Sequence, residues 1–351
     1  MTKPHCQFPP RPPRAAGEIA SGTAATAAPA VVFFGGSGEN KLFALPPLAS
    51  GGVEWTAPLA PQLPYAVASR VQQDVCCLLG DPVAGNPNHY MLEQAFARAD
   101  LDWRFLTFEV PARDFEGALR GVRIFGFRGA MLAPPHRGRV HAYLEHTSDA
   151  ARISGQVNCL RLVDGKLHGH NTEGIALRRL AEPHVPLKGS SAVILGGGRL
   201  AHSMAAELAI AGAAKLSFLC QDPSQVDTLL TTIGNLANAP ECRVDAWPES
   251  GTVDIDEQTT FVINTTPLGR IGQPQTLPID VAALGAKTIA VDVVYNPPRT
   301  PFLKAAAARN LTTIDGLTLL VERSAAAFEI WTGVGPDRDA MRDAVEEFLQ
   351  L

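Results

Sequence analysis

Long apolar runs are missing from this 351-residue sequence. No stretch approaches the roughly 18 consecutive apolar residues that a membrane helix needs, and the N-terminus lacks the continuous apolar core of a secretory signal. A basic surplus is missing as well, because the formal net charge is −5 and the isoelectric point is about 6.0, which does not suit nucleic acid. These absences predict a cytoplasmic protein without a membrane or nucleic-acid partner.

The sequence also lacks paired cysteines. Its 6 cysteines include no C-x-x-C pair and no cluster with histidine, the patterns that are typical of zinc and redox centres. We therefore expect reduced, mostly buried thiols without a metal or disulfide role. The six are Cys6, Cys76, Cys77, Cys159, Cys220 and Cys242.

Regular patterning is missing from the first part of the chain. Residues 1–30 are rich in proline and alanine, so they cannot bury enough apolar surface to offset the entropy of ordering. We predict a disordered tail there that is dispensable for folding. Residues 31–74 form an N-terminal extension in which glycines and prolines interrupt any longer element, and only VVFF at 31–34 has the composition of a strand.

Short apolar runs alternate with stretches of helical periodicity from about residue 75 onwards. This alternation is typical of α/β proteins, and the chain length suits two domains. We predict a first α/β domain over 75–183. It would contain a helical segment over 139–155 and a hairpin around Asp164-Gly165, a dipeptide that strongly favours a turn.

The second half has the rhythm of a doubly wound parallel sheet. We predict a Rossmann domain over 184–315, followed by C-terminal helices over 316–351. The predicted strands are SAVIL (191–195), KLSFL (215–219), VINTTP (262–267) and TIAVDVVY (288–295).

A glycine turn joins the first of these strands to a helix. The stretch GGGRLAHS (196–203) places Gly196, Gly198 and Ala201 at the positions that allow a bend, close approach of a pyrophosphate and tight helix–strand packing. The N-terminus of the following helix would attract an anion. We predict dinucleotide binding, with a tight structural turn as the alternative.

An acidic residue follows the next predicted strand. At this corner a carboxylate usually binds a ribose hydroxyl, whereas an arginine accepts an additional phosphate. Asp222 is present and would repel a 2′-phosphate, so the corner favours NAD over NADP. Arg199 in the glycine loop keeps NADP open as the alternative.

The motifs along residues 75–333 resemble, in order, those of shikimate dehydrogenases. The resemblance implies an N-terminal α/β substrate-binding domain, a C-terminal NAD(P)-binding Rossmann domain and a cleft between them. It also implies an oxidoreductase of aromatic amino acid biosynthesis, in the chorismate pathway, that acts on a small anionic alicyclic acid as a monomer or homodimer. The helix after Gly316 is expected to return to the substrate domain. The motifs include LLGDPVAGNPNHYMLEQAF, GFRGAMLAPPHRGRV, GKLHGHNTEG, VINTTPLG, VDVVYNPPRTPFLKAA and AFEIWTG.

The resemblance assigns binding residues as well. Asn158 and Tyr295 match the family's substrate contacts. Asn86 and Asn88 stand where the family has two serines that hold the substrate carboxylate, and their amides can still donate to it. The cofactor-binding candidates are Gly196, Gly198, Arg199, Leu200, Asp222, Thr265, Val293 and Gly316.

The catalytic positions depart from the family. Arg137 replaces its lysine, Glu173 replaces its aspartate, and Met131-Leu132-Ala133 replaces a polar Asn-Val-Thr run. An arginine stabilises negative charge but does not exchange a proton at ordinary pH, so Arg137 is a poor general base. Glu173 reaches one methylene further than aspartate, and a misplacement of about 1 Å can cost on the order of 100-fold in rate.

Two further side chains leave alternatives open. Arg323 replaces a glutamine on the last cleft helix, and it either contacts an anionic substrate or pairs with Glu322 or Glu329. His136 could titrate near neutral pH, but the Pro-His pair is better explained as part of a turn.

Three functions fit these residues. The first is a shikimate- or quinate-type dehydrogenase with an altered substrate or reduced activity. The second is a catalytically impaired ligand-binding or regulatory homologue that keeps the fold. The third is a divergent enzyme whose arginine pair selects a more anionic ligand. The intact glycine loop and VVYNPP favour the first.

Overall fold

The computed structural model describes residues 73–351. The predicted tail over 1–30 and nearly all of the extension over 31–74 therefore lie outside the described residues. Within the described part, no helix is long and apolar enough to cross a membrane. The five cysteines found there are free thiols, and only Cys242 is not fully buried.

A six-stranded mixed sheet forms the N-terminal part of the described chain. Its strands are β1 (Asp74–Gly80), β2 (Trp103–Glu109), β3 (Gly129–Leu132), β4 (His146–Thr147), β5 (Cys159–Val163) and β6 (Lys166–His170). They lie in the order β2-β1-β3-β5-β6-β4, and β1 runs parallel to both of its neighbours. The buried run of β1 fits such a central position, since a parallel strand is covered on both faces.

The β5–β6 hairpin confirms the predicted turn. The two strands pair antiparallel from Cys159 with His170 to Val163 with Lys166. Asp164 and Gly165 between them have φ values of 49° and 76°. Two consecutive positive φ values are what a tight two-residue hairpin requires, and glycine and aspartate tolerate them.

Four helices accompany this sheet. They are α1 (Asn88–Arg98), α2 (Phe115–Ile124), α3 (Asp149–Ser154) and α4 (Thr172–Ala181). Helix α1 buries Met91, Leu92, Ala95 and Phe96, the spacing of an amphipathic helix, in a core that also contains Leu78 of β1.

The helical segment predicted over 139–155 is wrong in its first half. A 3₁₀ turn over Val140–Tyr143 is followed by the short strand β4, and only α3 is a helix. The backbone of this segment pairs with β6 instead, with Glu145 N donating to Leu167 O and Ser148 N to Gly169 O. Tertiary strand pairing therefore overrides the local helical pattern, and the Ser148 side chain then caps α3.

The second sheet has the strand order of a Rossmann domain. Its strands are β7 (Ser191–Leu195), β8 (Lys215–Cys220), β9 (Glu241–Ala246), β10 (Phe261–Asn264), β11 (Ile289–Asp292) and β12 (Thr312–Ile314). All pairs are parallel, in the order β12-β11-β10-β7-β8-β9. The strand order reverses between β7 and β10, and a ligand crevice is expected at such a point. The predicted two-domain α/β class is confirmed.

Five helices complete the structure. They are α5 (Arg199–Ile210), α6 (Asp227–Gly234), α7 (Pro301–Ala308), α8 (Gly316–Thr332) and α9 (Arg338–Leu349). Residues of α8, including Leu320 and Phe328, share a core with α1 and β1, so the C-terminal helices pack on the first sheet. Strand β9 was not predicted, although Cys242, Val244 and Ala246 alternate with the charged Glu241, Arg243 and Asp245, as expected of a half-exposed edge strand.

Candidate active site

The glycine loop connects β7 to α5 at the point where the strand order reverses. Gly196 has φ +106°, and a Cβ there would lie 2.7 Å from Thr265 Oγ1. A Cβ on Gly198 would meet no atom within 4 Å. Gly196 is therefore required by the fold, whereas Gly198 leaves its surroundings free for a ligand.

The first turn of α5 faces this free space with uncapped backbone donors. No side chain caps the helix at Gly198, and the first turn holds no acidic residue. The guanidinium of the exposed Arg199 makes no hydrogen bond or ion pair within residues 73–351. A positive helix end with a spare guanidinium suits a phosphate group, so this part of the chain fits the pyrophosphate of a dinucleotide.

Asp222 lies exposed just after β8. Its Oδ1 accepts hydrogen bonds from Ser224 N at 3.0 Å and Ser224 Oγ at 2.7 Å, which caps the 3₁₀ turn Pro223–Val226. The cap fixes the carboxylate and leaves Oδ2 without a hydrogen bond to residues 73–351. That oxygen can accept from a ribose hydroxyl.

A cavity of ≈ 420 Å³ lies where the glycine loop meets residues of the first domain. Asn86, Asn88, Asn158, Gly196 and Asp222 are not part of its lining. The predicted site residues that line it are Arg137, Glu173, Gly198, Arg199, Leu200, Thr265, Val293, Tyr295, Gly316 and Arg323.

Three charged side chains meet inside this cavity. Glu173 Oε1 accepts from Arg323 Nη1 at 2.6 Å and lies 3.0 Å from Arg137 Nη1. Both guanidinium groups thus share one carboxylate oxygen. Within residues 73–351, Arg323 pairs with Glu173, so the alternative in which it turns outward or pairs with Glu322 or Glu329 is not found.

Local structure holds each of the three in place. Arg137 follows the cis peptide Pro134-Pro135 and donates from Nε to Leu132 O at 2.8 Å. Glu173 lies in the first turn of α4, whose cap Asn171 accepts from Glu173 N at 3.0 Å. The three side chains are at most 14% exposed.

This burial and pairing fix the protonation states. Burial raises the pKa of Glu173, but the charges and hydrogen bonds of Arg323 and Arg137 outweigh it, so the pKa lies below its usual value. Burial lowers the pKa of Arg137, opposed by Glu173, yet a guanidinium stays protonated at ordinary pH. The cluster therefore contains one carboxylate flanked by two guanidinium cations.

His136 takes no part in the cavity. Its ring is buried, stacks on Phe115 with ring centroids 4.1 Å apart, and Nε2 lies 2.8 Å from Val110 O. Its pKa is lowered, mainly by burial. The histidine thus anchors the turn that presents Arg137.

The predicted asparagines hold helices. Asn158 is buried and binds both the backbone N and the hydroxyl of Thr172, the first residue of α4. Asn86 Oδ1 accepts from Asn88 N, and Asn88 Oδ1 accepts from Ser324 Oγ on α8. In the described chain these contacts position α1, α4 and α8 around the cavity.

A buried hydrogen-bond network at the ends of β10 and β11 was not predicted. Asp292 Oδ1 accepts from Asn264 Nδ2 and Val294 N, while Oδ2 accepts from the Thr300 hydroxyl at 2.7 Å. Burial raises the pKa of Asp292 to about 6. The network locks the ends of β10 and β11, and the polar residues in VINTTP and VDVVYNPP were the signal that could have revealed it.

Comparisons with known proteins agree with this geometry. The family model described as shikimate dehydrogenase substrate binding domain matches residues 78–160, and that of the shikimate 5′-dehydrogenase C-terminal domain matches 316–346. A protein named shikimate dehydrogenase (NADP(+)) from Symbiobacterium thermophilum is 33% identical over 285 residues, covering 80% of this chain and 97% of its own. The chain belongs to the shikimate dehydrogenase family.

Solved structures of the family's fold show a range of named activities. A 5-ketofructose reductase of Gluconobacter sp. strain CHM43 is 32% identical, with a TM-score of 0.75 over 79% of this chain and 99% of that one. A quinate dehydrogenase from Corynebacterium glutamicum in complex with NAD is 26% identical, with a TM-score of 0.70 over 80% and 99%. As a family member, the protein is an NAD(P)-dependent oxidoreductase with a substrate-binding domain and a Rossmann domain.

Proposed function

We propose that this enzyme interconverts a hydroxyl and a ketone on a small anionic alicyclic acid such as shikimate or quinate, with an altered substrate or a reduced rate on shikimate. The observation that carries the proposal is the Arg137–Glu173–Arg323 cluster beside the glycine loop. When bound, the nicotinamide cofactor supplies or accepts the hydride. All other steps fall to the chain's own residues.

In this proposal Arg137 and Glu173 contact the reacting oxygen. Arg137 stabilises negative charge on it, because the guanidinium keeps its proton. Glu173 is the one carboxylate that residues 73–351 contribute to the lining, and it would accept the hydroxyl proton on oxidation. Its lowered pKa makes it a weak base, so the proposal includes slow oxidation of shikimate.

Charge supports the anionic substrate. The cavity is lined by Arg137, Arg199 and Arg323 against the single carboxylate of Glu173. One cation suits the cofactor's phosphates, and the remaining surplus suits a substrate carboxylate. We assign that contact to Arg323, with Tyr295 beside it. Asn86, Asn88 and Asn158 support the site by the helix contacts described above.

For the cofactor we propose NAD over NADP. Asp222 is held by its cap at the proposed ribose corner. The sequence contains no lysine or arginine between Lys215 on β8 and Arg243 on β9. A carboxylate there repels a 2′-phosphate. The relative from Symbiobacterium is named for NADP(+), so the direct comparison of the two cofactors is informative.

We further propose the domain limits 75–183, 184–315 and 316–351, in a monomer or homodimer. Sedimentation of the purified protein would give the oligomeric state, and limited proteolysis would give the limits.

A substrate and cofactor panel tests the function. The purified protein is titrated with NAD and NADP by fluorescence, and reduced nicotinamide is then followed with shikimate, quinate and a neutral polyhydroxylated ketone. Turnover of an acid supports the proposal. Turnover of the ketone alone would favour a second function of the kind named for the Gluconobacter reductase. Cofactor binding without any turnover would favour the impaired homologue.

A further inference from the structure

Helices α4 and α5 cross in direct backbone contact. Gly174 lies one residue after Glu173, and a Cβ on it would lie 2.6 Å from both Ser203 O and Glu207 Cβ of α5. One turn further along, Arg178 Nε lies 2.9 Å from Glu207 Oε1. The helix that carries Glu173 in its first turn and the helix whose first turn faces the glycine-loop cavity are therefore packed too closely to slide independently.

A hydrogen-bond path connects the functional ends of the two helices. Ser203 Oγ donates to Arg199 O at 3.0 Å in the first turn of α5 and accepts from Asn171 Nδ2 at 2.8 Å. The same Asn171 accepts from Glu173 N through Oδ1. Asn171 and Ser203 are at most 2% exposed, so the path is shielded from water.

From this path we infer that Ser203 and Asn171 are positioning residues that couple cofactor binding at α5 to the placement of Glu173. The inference rests on the proposed roles of α5 and Glu173. A phosphate bound at the first turn of α5 fixes that turn, and Ser203 and Asn171 fix Glu173 relative to it. Substrate and cofactor then each strengthen the binding of the other.

Ser203→Ala tests the inference with little risk to folding. Alanine is the best helix former, and Asn171 Nδ2 keeps Ser154 Oγ at 3.0 Å and Gln156 O at 3.1 Å as acceptors. Ser154→Ala is the matched control. It removes an equally buried serine from the same amide but lies on α3, outside the path to α5.

Cofactor dissociation constants are measured for the wild type and both variants, with and without saturating shikimate or quinate. The kcat and KM values of the three proteins are measured as well. Without substrate, the cofactor dissociation constant of Ser203→Ala should lie within about twofold of the wild-type value. The factor by which substrate tightens cofactor binding should be about threefold to tenfold smaller in this variant, and kcat should fall by a similar factor. Ser154→Ala should keep the enhancement and kcat at a similar melting temperature.

Three results would overturn the inference alone. The first is a Ser203→Ala variant in which substrate tightens cofactor binding as much as in the wild type, and the second is an equal loss of this effect in both variants. The third is a wild type whose cofactor binding does not respond to substrate. Each would leave the proposed function standing and remove the coupling. A wild type that binds neither NAD nor NADP would overturn the proposed function, and the inference with it.

Discussion

The two walls of the cavity are built from different parts of the chain. The cofactor wall, named for the binding proposed there, is mainly backbone: a glycine turn, an uncapped helix end and space around Gly198. The substrate wall, named for the contacts proposed there, is made of side chains, and its residues Arg137, Glu173 and Arg323 converge from three separate elements. A backbone site depends on local conformation, whereas a side-chain site depends on residue identity and on tertiary convergence. The first can therefore persist while the second acquires a different chemistry.

A side chain added to the cofactor wall is expected to have the largest effect, a loss of cofactor affinity. Gly198→Val places a side chain in space that no atom of residues 73–351 occupies, so cofactor affinity should fall about 100-fold, equivalent to about 2.7 kcal/mol. The melting temperature should stay close to wild type, since φ −80° and ψ −174° suit any residue. Fluorescence titration and thermal melts measure both.

Gly316→Ala is the contrasting control. Its Cβ would collide with the backbone of Val294 and Tyr295, so it should lower the melting temperature as well. A Gly198→Val variant that binds NAD or NADP like the wild type would show that the cofactor does not approach this glycine.

Changing the side-chain wall should come next in magnitude. Arg137→Lys restores a group that can exchange a proton, and Glu173→Asp restores the shorter carboxylate, so the double variant should turn over shikimate about tenfold faster or more. The absorbance of reduced nicotinamide compares wild type, both single variants and the double. A wild type that already turns over at about 10 per second would contradict the interpretation of Arg137 as a poor base.

The ribose corner should respond less strongly. Asp222→Asn keeps an acceptor for the Ser224 cap but removes the charge, so the ratio of NAD to NADP affinity should fall about tenfold. Asp280→Asn is the matched control, because Asp280 caps a similar 3₁₀ turn through Ala282 N, away from the glycine loop. Equal ratios in all three proteins would remove the role of Asp222.

The smallest expected effect is on the pH dependence of folding stability, through the buried network around Asp292. The pKa of Asp292 is raised in the folded chain to about 6 from 3.8. Its stabilising contribution is therefore complete below about pH 4 and is lost as the pH rises through 6. When the pH is lowered from 7.5 to 5, the free energy of unfolding of the wild type should increase by about 1 kcal/mol relative to that of Asp292→Asn.

Denaturant unfolding at both pH values measures this difference. The variant is a fair comparison, because the Thr300 hydroxyl that donates to Asp292 can rotate to accept from an amide. Parallel pH dependence of the two proteins would show that Asp292 titrates as it does in the unfolded chain.

The sequence by itself determined the backbone features of this protein. The Gly196–Gly198 loop, the Asp164-Gly165 turn and the buried parallel strands follow from local conformational preference and hydrophobic pattern, which a short stretch of chain carries within itself. The altered residue types at positions 137, 173 and 323 could also be seen, because the surrounding motifs fix their alignment with the family.

Only the tertiary structure decided how those residues interact. Arg323 pairs with Glu173 across 150 positions of sequence, the buried Asp292 network links separate loops, and Ser203 meets Asn171 where α4 crosses α5. The segment around Ser148 became a strand edge and a short helix because β6 offered pairing partners. Such contacts depend on which surfaces the folded chain brings together, and local propensity carries no information about them.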